Sequence, residues 1–466
     1  MKRPLVTAGN VALEDAEAFT REVGAHRLFD LTRNIVIARA PGRLDLMGGI
    51  ADYSGSLVLQ WPLHEATLAA VQIVPDGRLQ VRSLGSEPEE IADRRFEASI
   101  DDLFRGGYPL DYEAARSWFA DRGDSKWAAY VLGALIILAR ERGVRTGSGL
   151  RVLIRSAVPE GKGVGSSAAL EVAVMKATAI ALGVDLIPRD LALLSQIVEN
   201  RVVGAACGVM DQMTAACALP GQLLALLCQP CELRDPVALP AELEIFGLDS
   251  GVRHSVSGSD YESVRIGAFM GARILAGHDP KWSGYLANVP PSEFERGAGA
   301  SLPETMSGAD FQAAYGATHD SVTQPRPDRA YAVRAPTAHP VHEHARVQAF
   351  AELLKGPITE RTCELLGELM YQSHASYSAC GLGSNATDAF VAIIREAGPK
   401  LGFLGAKITG GGSGGTVAVL ARKGASIGSV VKRCAQQTGH RPQVFAGSSP
   451  GAAAFGSIRL GPAGER

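Results

Sequence analysis

The run Val158-Pro-Glu-Gly-Lys-Gly-Val-Gly-Ser-Ser-Ala-Ala-Leu170 sets Gly161, Gly163 and Gly165 directly before two hydroxyls, Ser166 and Ser167, and a small Ala168. Glycines let a main chain close on phosphate with its N–H groups uncovered, and a helix start adds oriented N–H groups and positive dipole character. Hydroxyls at that point can reach a phosphate or a phosphate-bound Mg²⁺. The chemistry this implies is nucleotide binding. Two elements must position it: the strand-like Leu150–Arg155 runs into the loop, and the helix-like Ala168–Leu182 leaves it. No Gly-Lys-Ser/Thr triplet is present, so the loop is not a Walker A motif, nor is it a Rossmann fingerprint. An ordinary glycine-rich turn with a serine N-cap shares these local features, so the reading depends on what else the chain supplies.

Composition fits an enzyme and excludes several other classes. The chain has 466 residues, 46% of them hydrophobic, enough for two or three domains with full cores. A net charge of -3 gives no bulk attraction to nucleic acid or to acidic membranes. The N-terminus has no charged-then-apolar segment typical of a signal peptide, and the apolar stretch Ala128–Ala139 is too short to span a bilayer, so a cytosolic protein is expected. Seven cysteines, an odd count, read as reduced thiols. Cys228-Gln-Pro-Cys231 has the spacing of half a zinc site, with no second Cys or His pair to answer it.

Alternating strand-like and helix-like segments point to α/β or α+β layering, with no repeats and no heptads. The first half holds strand-like Ile35–Ala38, the apolar Ala66–Val74, a helix over Trp127–Arg142, Leu150–Arg155, the helix after the glycine loop, and a helix from about Asp190 to Val203. Gln222–Cys228 is a further strand candidate. Prolines across Pro230–Pro240 mark a boundary, dividing the chain into 1–235 and 236–466. The second half opens with strand Glu244–Asp249 and a helix from about Asp260 to Leu275. Residues 277–345, rich in Pro, His and charge, read as an insertion or extended loop region. Helices follow at Val347–Leu354 and Glu360–Cys380, then loop plus strand over Lys407–Leu420 and a helix over Ala425–Thr438.

Two further motifs complete the pattern: Ala40-Pro-Gly-Arg-Leu-Asp-Leu-Met-Gly-Gly-Ile-Ala-Asp-Tyr-Ser-Gly55, and Ile408-Thr-Gly-Gly-Gly-Ser-Gly-Gly-Thr-Val-Ala-Val-Leu420. Three such loops in this order resemble the galactokinase, homoserine kinase, mevalonate kinase and phosphomevalonate kinase (GHMP) superfamily. The resemblance runs from about residue 34 to 455 and implies an α+β, two-domain fold with the active site in the cleft between the domains. It also implies ATP and Mg²⁺ as cofactors, with a monosaccharide and ATP as the small-molecule partners and neither nucleic acid nor membrane. The loop at 158–170 would be the phosphate loop, and the loop around Gly411 would pack beside the phosphates.

Site residues follow from the same resemblance. Cys207-Gly-Val-Met-Asp-Gln212 resembles the galactokinase segment whose aspartate faces the anomeric hydroxyl, which makes Asp211 the candidate base and brings in Gly208. Arg43 would lower that base's pKa and offset charge on the transferring phosphoryl group. Glu199 matches the acidic residue that holds Mg²⁺ together with a loop serine, Ser167 in preference to Ser166. Asp249-Ser-Gly-Val-Arg-His254 with Ser259-Asp-Tyr261 resembles a third segment, which makes Tyr261 a sugar contact and His254 structural.

The departures bear on substrate. Galactokinases carry Gly-Glu-His-x-Asp-Tyr-x-Gly, where this chain reads Gly48-Gly-Ile-Ala-Asp-Tyr-Ser-Gly55. In the family, Glu and His contact the hydroxymethyl oxygen and the aspartate contacts ring hydroxyls. Gly49 and Ile50 replace the first two, and Asp52 keeps the third. That fits a galactose ring pattern without a hydroxymethyl group, which is L-arabinopyranose. Gly49 is expected to open room, and Ile50, stiff at χ1, to fill the hydroxymethyl space. Segments Tyr331–Pro340 and Met370–Ser384, with Arg39–Leu59, look like the kinase portion of L-arabinokinases. The expected activity is an L-arabinose 1-kinase, with a kinase for galactose, a 6-deoxy sugar or a uronic acid, and a catalytically silent sugar- and ATP-binding regulator, as alternatives.

Overall fold

The computed structural model describes residues 5–7, 13–85, 93–252 and 259–461. Its backbone is a large mixed sheet. The strands Ile35–Met47 and Leu57–Val74 run antiparallel through its centre. The second of these is long enough to serve two partners, pairing with Gln222–Leu227 near its start and with Gly149–Ser156 near its end. Arg78–Leu84 adds in parallel beside Gly149–Ser156, and Arg94–Ser99 closes that edge. Towards the other edge Ser457–Leu460, from the far end of the chain, pairs with Ile35–Ile37 on one side and with the edge strand Leu5–Thr7 on the other.

The strand at Ile35 does not stop at Ala38. It continues through Pro41-Gly-Arg43 to Met47, where a loop would be expected. The reason is a pair of register shifts, between Pro41 and Arg43 and between Asp45 and Met47. A bulge leaves the proline without a ladder hydrogen bond to donate and turns the strand at the same time. Gly42 then lets the strand press on the glycine loop, since a Cβ there would lie 2.7 Å from the Val164 carbonyl oxygen.

Helices cover one face of this sheet. Ala129–Arg142 is buried all round for most of its length, which is why it carries no polar face. Ser166–Ala181, Pro188–Ile197 and Met210–Cys217 pack with it into a core that includes Val131, Leu135, Val172, Met175, Leu194 and Met213. A second, antiparallel sheet has the order Phe403–Ile408, Thr416–Arg422, Leu243–Asp249, Val444–Ala446. Glu360–Ala379, Asn385–Ala397 and Ile427–Thr438 lie against it. No helix among the described residues is long and apolar enough to cross a membrane.

Residues 277–345 are not an extended loop. They form short helical turns, a hairpin of Thr305–Ser307 with Ala330–Ala332, and the helix Gly308–Tyr315. Leu286, Phe294, Leu302, Phe311 and Tyr331 make a core of their own against Ser259–His278. The helix expected from Val347 begins at Arg334 and runs to Lys355. Pro336 falls in its first turn, where the missing N–H would have no partner anyway, but Pro340 lies inside the helix. Two prolines and three histidines within this turn-rich opening hid the helical pattern.

Candidate active site

The glycine loop is built as a phosphate site would be. Gly161, Gly163 and Gly165 all have positive φ, and Gly165 caps the helix Ser166–Ala181. No side chain among the described residues caps that helix end, so its first N–H groups remain available to an anion. Arg43 fixes the loop from behind. Its backbone N–H donates to the Val164 carbonyl at 2.8 Å, and its Nη1 donates to the Gly163 carbonyl at 2.6 Å.

The rest of the Arg43 guanidinium clasps Asp211. Nε and Nη2 donate to the two carboxylate oxygens at 2.9 and 2.6 Å. Asp211 sits in the first turn of Met210–Cys217, where the helix dipole favours a negative charge. Arg43 is buried while the Asp211 side chain keeps 22% of its surface exposed, so this ion pair opens on one side. Burial opposes the charge on Arg43, but Asp211 beside it, by charge and by hydrogen bonds, more than offsets that and holds it protonated.

Asp52, in the short turn Asp52–Ser54, is buried, and its Oδ1 has no hydrogen-bond partner among the described residues. Its Oδ2 lies where a Cβ on Gly208 would be, at 1.6 Å, so only glycine fits at that position. Burial and the negative charge of Asp211 push the Asp52 carboxyl up to about 6. A buried carboxylate with an idle oxygen is costly unless a ligand supplies the donor, and a sugar hydroxyl is such a donor. Ile50 and Tyr261 belong to one apolar cluster with Val264, Cys380 and Leu382. Tyr261 stands edge-on to Tyr53, the residue after Asp52, with ring centroids 6.0 Å apart. Arg253 and His254 lie outside the described residues.

Gly49 departs from expectation. The space beside it is not open: a Cβ there would be 1.7 Å from the Tyr377 hydroxyl and 2.2 Å from Asp45 Oδ2. Ile50 has φ near 50°, a rare conformation for a β-branched residue, and is buried.

An oxygen-rich set lies behind the phosphate loop. Glu199, in the π-helical turn Val198–Val203, accepts from Gln212 Nε2 at 2.6 Å, and the nearby Ser167 hydroxyl favours its charged form. The same amide donates to Glu171 at 3.1 Å, and the other Glu171 oxygen has no partner among the described residues. Burial raises both carboxyls, and each is raised further by the other acids around them. Hydroxyl and carboxylate oxygens suit a hard divalent cation, so the donor set fits Mg²⁺ at Ser167 and Glu199.

The Gly410–Gly412 loop closes over this region. A Cβ on Gly410 would be 2.6 Å from the Gly163 carbonyl oxygen, and one on Gly415 would be 2.8 Å from that of Lys162. The two glycine loops thus meet backbone to backbone at Gly410 and Gly415, with Gly411 next to the first of these contacts in sequence. Sequence reasoning passed over Lys162, whose ammonium pairs with the buried Asp249 at 2.8 Å and ties the phosphate loop to the second sheet. It also passed over Arg265, clamped by Asp320 at 2.8 and 2.9 Å beside Tyr53. Asp320 comes from the region read as an extended loop, and its only signal was a charge among prolines.

Comparison with known proteins agrees with this geometry. Residues 129–219 match the GHMP kinases N terminal domain, residues 350–440 the GHMP kinases C terminal, and residues 26–73 the galactokinase galactose-binding signature. An Arabidopsis thaliana L-arabinokinase is 42% identical over 96% of this chain, which spans 50% of that protein's length. A Chloroflexus aurantiacus galactokinase is 31% identical over 87% of this chain and 90% of its own. The solved structure of Lactococcus lactis galactokinase with galactose superposes with a TM-score of 0.71 at 20% identity, covering 95% of this chain and 99% of that one. Crystal structures of mevalonate kinase share the fold at a TM-score of 0.54.

Proposed function

The chain belongs to the GHMP kinase family, on its galactokinase branch, and from that premise we propose that it transfers the γ-phosphoryl group of ATP to the anomeric hydroxyl of L-arabinose, giving L-arabinose 1-phosphate and ADP. One observation carries the reading. A clasped Arg43–Asp211 pair stands between a glycine loop with free helix-end N–H groups and a buried carboxylate, Asp52, with an idle oxygen.

Each group then has a task. Asp52 accepts ring hydroxyls of the sugar and orients the ring. Asp211 holds the anomeric hydroxyl and takes or directs its proton. Arg43 stabilises charge on the transferring group, and because it also holds the Gly163 and Val164 carbonyls, it keeps the loop's N–H groups turned to the phosphates. Phosphoryl transfer depends mainly on such positioning and charge stabilisation. When bound, Mg²⁺ would be held by Ser167 and Glu199 and would neutralise phosphate charge. Asp211→Asn is expected to lower turnover by at least ~10²-fold while leaving sugar binding in place.

The galactose-binding signature over residues 26–73 favours galactose as the second reading. An ADP-release assay across L-arabinose, galactose, a 6-deoxygalactose and galacturonate separates the two. L-Arabinose should give the highest kcat/KM, with galactose about 10²-fold lower, the scale on which an apolar wall rejects an added group. Equal or better turnover of galactose would favour the second reading, and ADP release with none of the sugars would favour a silent sensor.

A further inference from the structure

Behind the Gly48-Gly49-Ile50 turn lies a buried polar cluster that the phosphoryl-transfer chemistry does not use. It comes from the helices Arg334–Lys355 and Glu360–Ala379, far away in sequence. Glu343 accepts the Gly48 N–H at 3.0 Å and the Ser373 hydroxyl at 2.7 Å, and pairs with Arg346 at 2.7 Å. His339 holds the Gly49 carbonyl at 3.0 Å through Nε2, and its Nδ1 lies 2.7 Å from the Ser376 hydroxyl. Bonding a carbonyl requires Nε2 to carry the proton, so Nδ1 accepts from the serine. Burial keeps this imidazole neutral, with its pKa down to about 4.

Tyr377 completes the cluster and cannot move. It is fully buried, and its hydroxyl donates to the Gly410 carbonyl at 3.0 Å, with Asp45 Oδ2 at 3.3 Å. Its ring stands edge-on to His339, with centroids 5.3 Å apart, and the Lys407 ammonium lies 4.9 Å from its centre. That hydroxyl occupies the place of a side chain at position 49. The turn is therefore held at the Gly48 N–H, at the Gly49 carbonyl and on the face where Gly49 lacks a side chain. Ile50 follows at positive φ, packed against Tyr377, Tyr261 and Leu382. A wall fixed at so many points resists recoil, so an added hydroxymethyl group meets filled space rather than space that can open for it.

We propose that Tyr377 is a specificity-determining positioning residue that acts on the sugar through Gly49 and Ile50. It seals the volume behind the turn and so selects a pentopyranose over a hexopyranose bearing an exocyclic hydroxymethyl group. This rests on the reading of the sugar site given above. It also means that polar contacts to a hydroxymethyl group cannot be created by changing residues 49 and 50 alone.

The test is a cycle on the full chain with L-arabinose and galactose as paired substrates. Tyr377→Phe should narrow the L-arabinose to galactose ratio of kcat/KM by roughly 5-fold or more, mainly through the sugar KM, with the ATP KM moving by less than about 2-fold. Gly49→Ala should lower sugar kcat/KM by at least ~10²-fold, and adding Tyr377→Leu should recover only part of that loss, because the Tyr377 hydroxyl and Asp45 Oδ2 share that space and only the first is removed. A merely structural tyrosine would instead lower thermal stability and turnover of both sugars in proportion. An unchanged ratio in Tyr377→Phe overturns the proposal. If Gly49→Ala does not fold, the ratio in Tyr377→Phe decides. A wild type that prefers galactose would refute the L-arabinose reading by itself, and recovery in the double variant, read on galactose, would still support the link between positions 49 and 377.

Discussion

One strand carries two ion pairs with opposite characters. Arg43 and Asp45 are two residues apart on Ile35–Met47, and each meets a partner of opposite charge. The Arg43–Asp211 pair keeps 22% of the aspartate side chain exposed, and the carboxylate has lone pairs to spare on that side. The Lys407–Asp45 pair is fully buried on both sides, at 2.7 Å. Lys407 also reaches the Ile408 carbonyl at 2.7 Å, and Asp45 also receives Gln60 at 2.7 Å. The difference teaches how chemistry is assigned in such a fold. A pair with its capacity used up ties the large sheet to the second one, and a pair with capacity left over stays free to meet a reactant.

Breaking the sealed pair should have the largest effect. Lys407→Met strands a buried carboxylate and is expected to destabilise the protein by about 3–5 kcal/mol. Adding Asp45→Asn should restore part of that, since the uncompensated charge is gone. Chemical denaturation of the three proteins checks this, and a Lys407→Met variant as stable as the wild type would erase the contrast. Asp211→Asn should show the reverse pattern, with turnover lost and most of the stability kept.

Asp52 sharpens the contrast as a group left unpaired. Its carboxyl titrates near 3.8 when unfolded and about 6 when folded. Between those values the folded state holds a proton that the unfolded state has lost, so stability falls as pH rises from about 3.8 to about 6 and stays lower above. The cost at neutral pH is on the order of 3 kcal/mol. Asp52→Asn should therefore raise Tm at about pH 8, with the gain vanishing near pH 4. In the wild type, sugar kcat/KM should drop about tenfold per pH unit below about 6, because the ring hydroxyls need the carboxylate. A sugar profile flat through that range would remove Asp52 from the sugar site.

The smallest expected effect concerns the metal. Ser167→Ala and Glu199→Gln should each raise the Mg²⁺ concentration for half-maximal rate by roughly 10-fold, before any change in sugar KM. Unchanged Mg²⁺ dependence in both would show that other oxygens, Glu171 among them, hold the ion.

The glycine loop was legible because it is local. Gly161 to Ser167 is one continuous run in which backbone conformation and helix start are set by the residues themselves. The sugar end was legible only in part. The structure sets Asp52 against Gly208, but the room expected beside Gly49 is taken by a tyrosine more than 300 positions later, at Tyr377. The contact from His339 to Gly49 likewise spans 290 positions. Nothing in the spacing near Gly49 announces such partners. The strand through Pro41 and the helix from Arg334 were hidden for a different reason: a bulge and a first turn are the places where proline costs little, and Pro340 interrupts the helical pattern further in.

The most direct measurement is the product. The protein is incubated with ATP, Mg²⁺ and L-arabinose beside its Asp211→Asn variant, and phosphorus NMR follows both reactions. The expected result is ADP with a single sugar phosphate whose phosphorus couples to the anomeric proton, formed at least ~10²-fold more slowly by the variant. Phosphate on another hydroxyl, no sugar phosphate at all, or an undiminished rate in Asp211→Asn would contradict the assignment of the open Arg43–Asp211 pair to the anomeric hydroxyl.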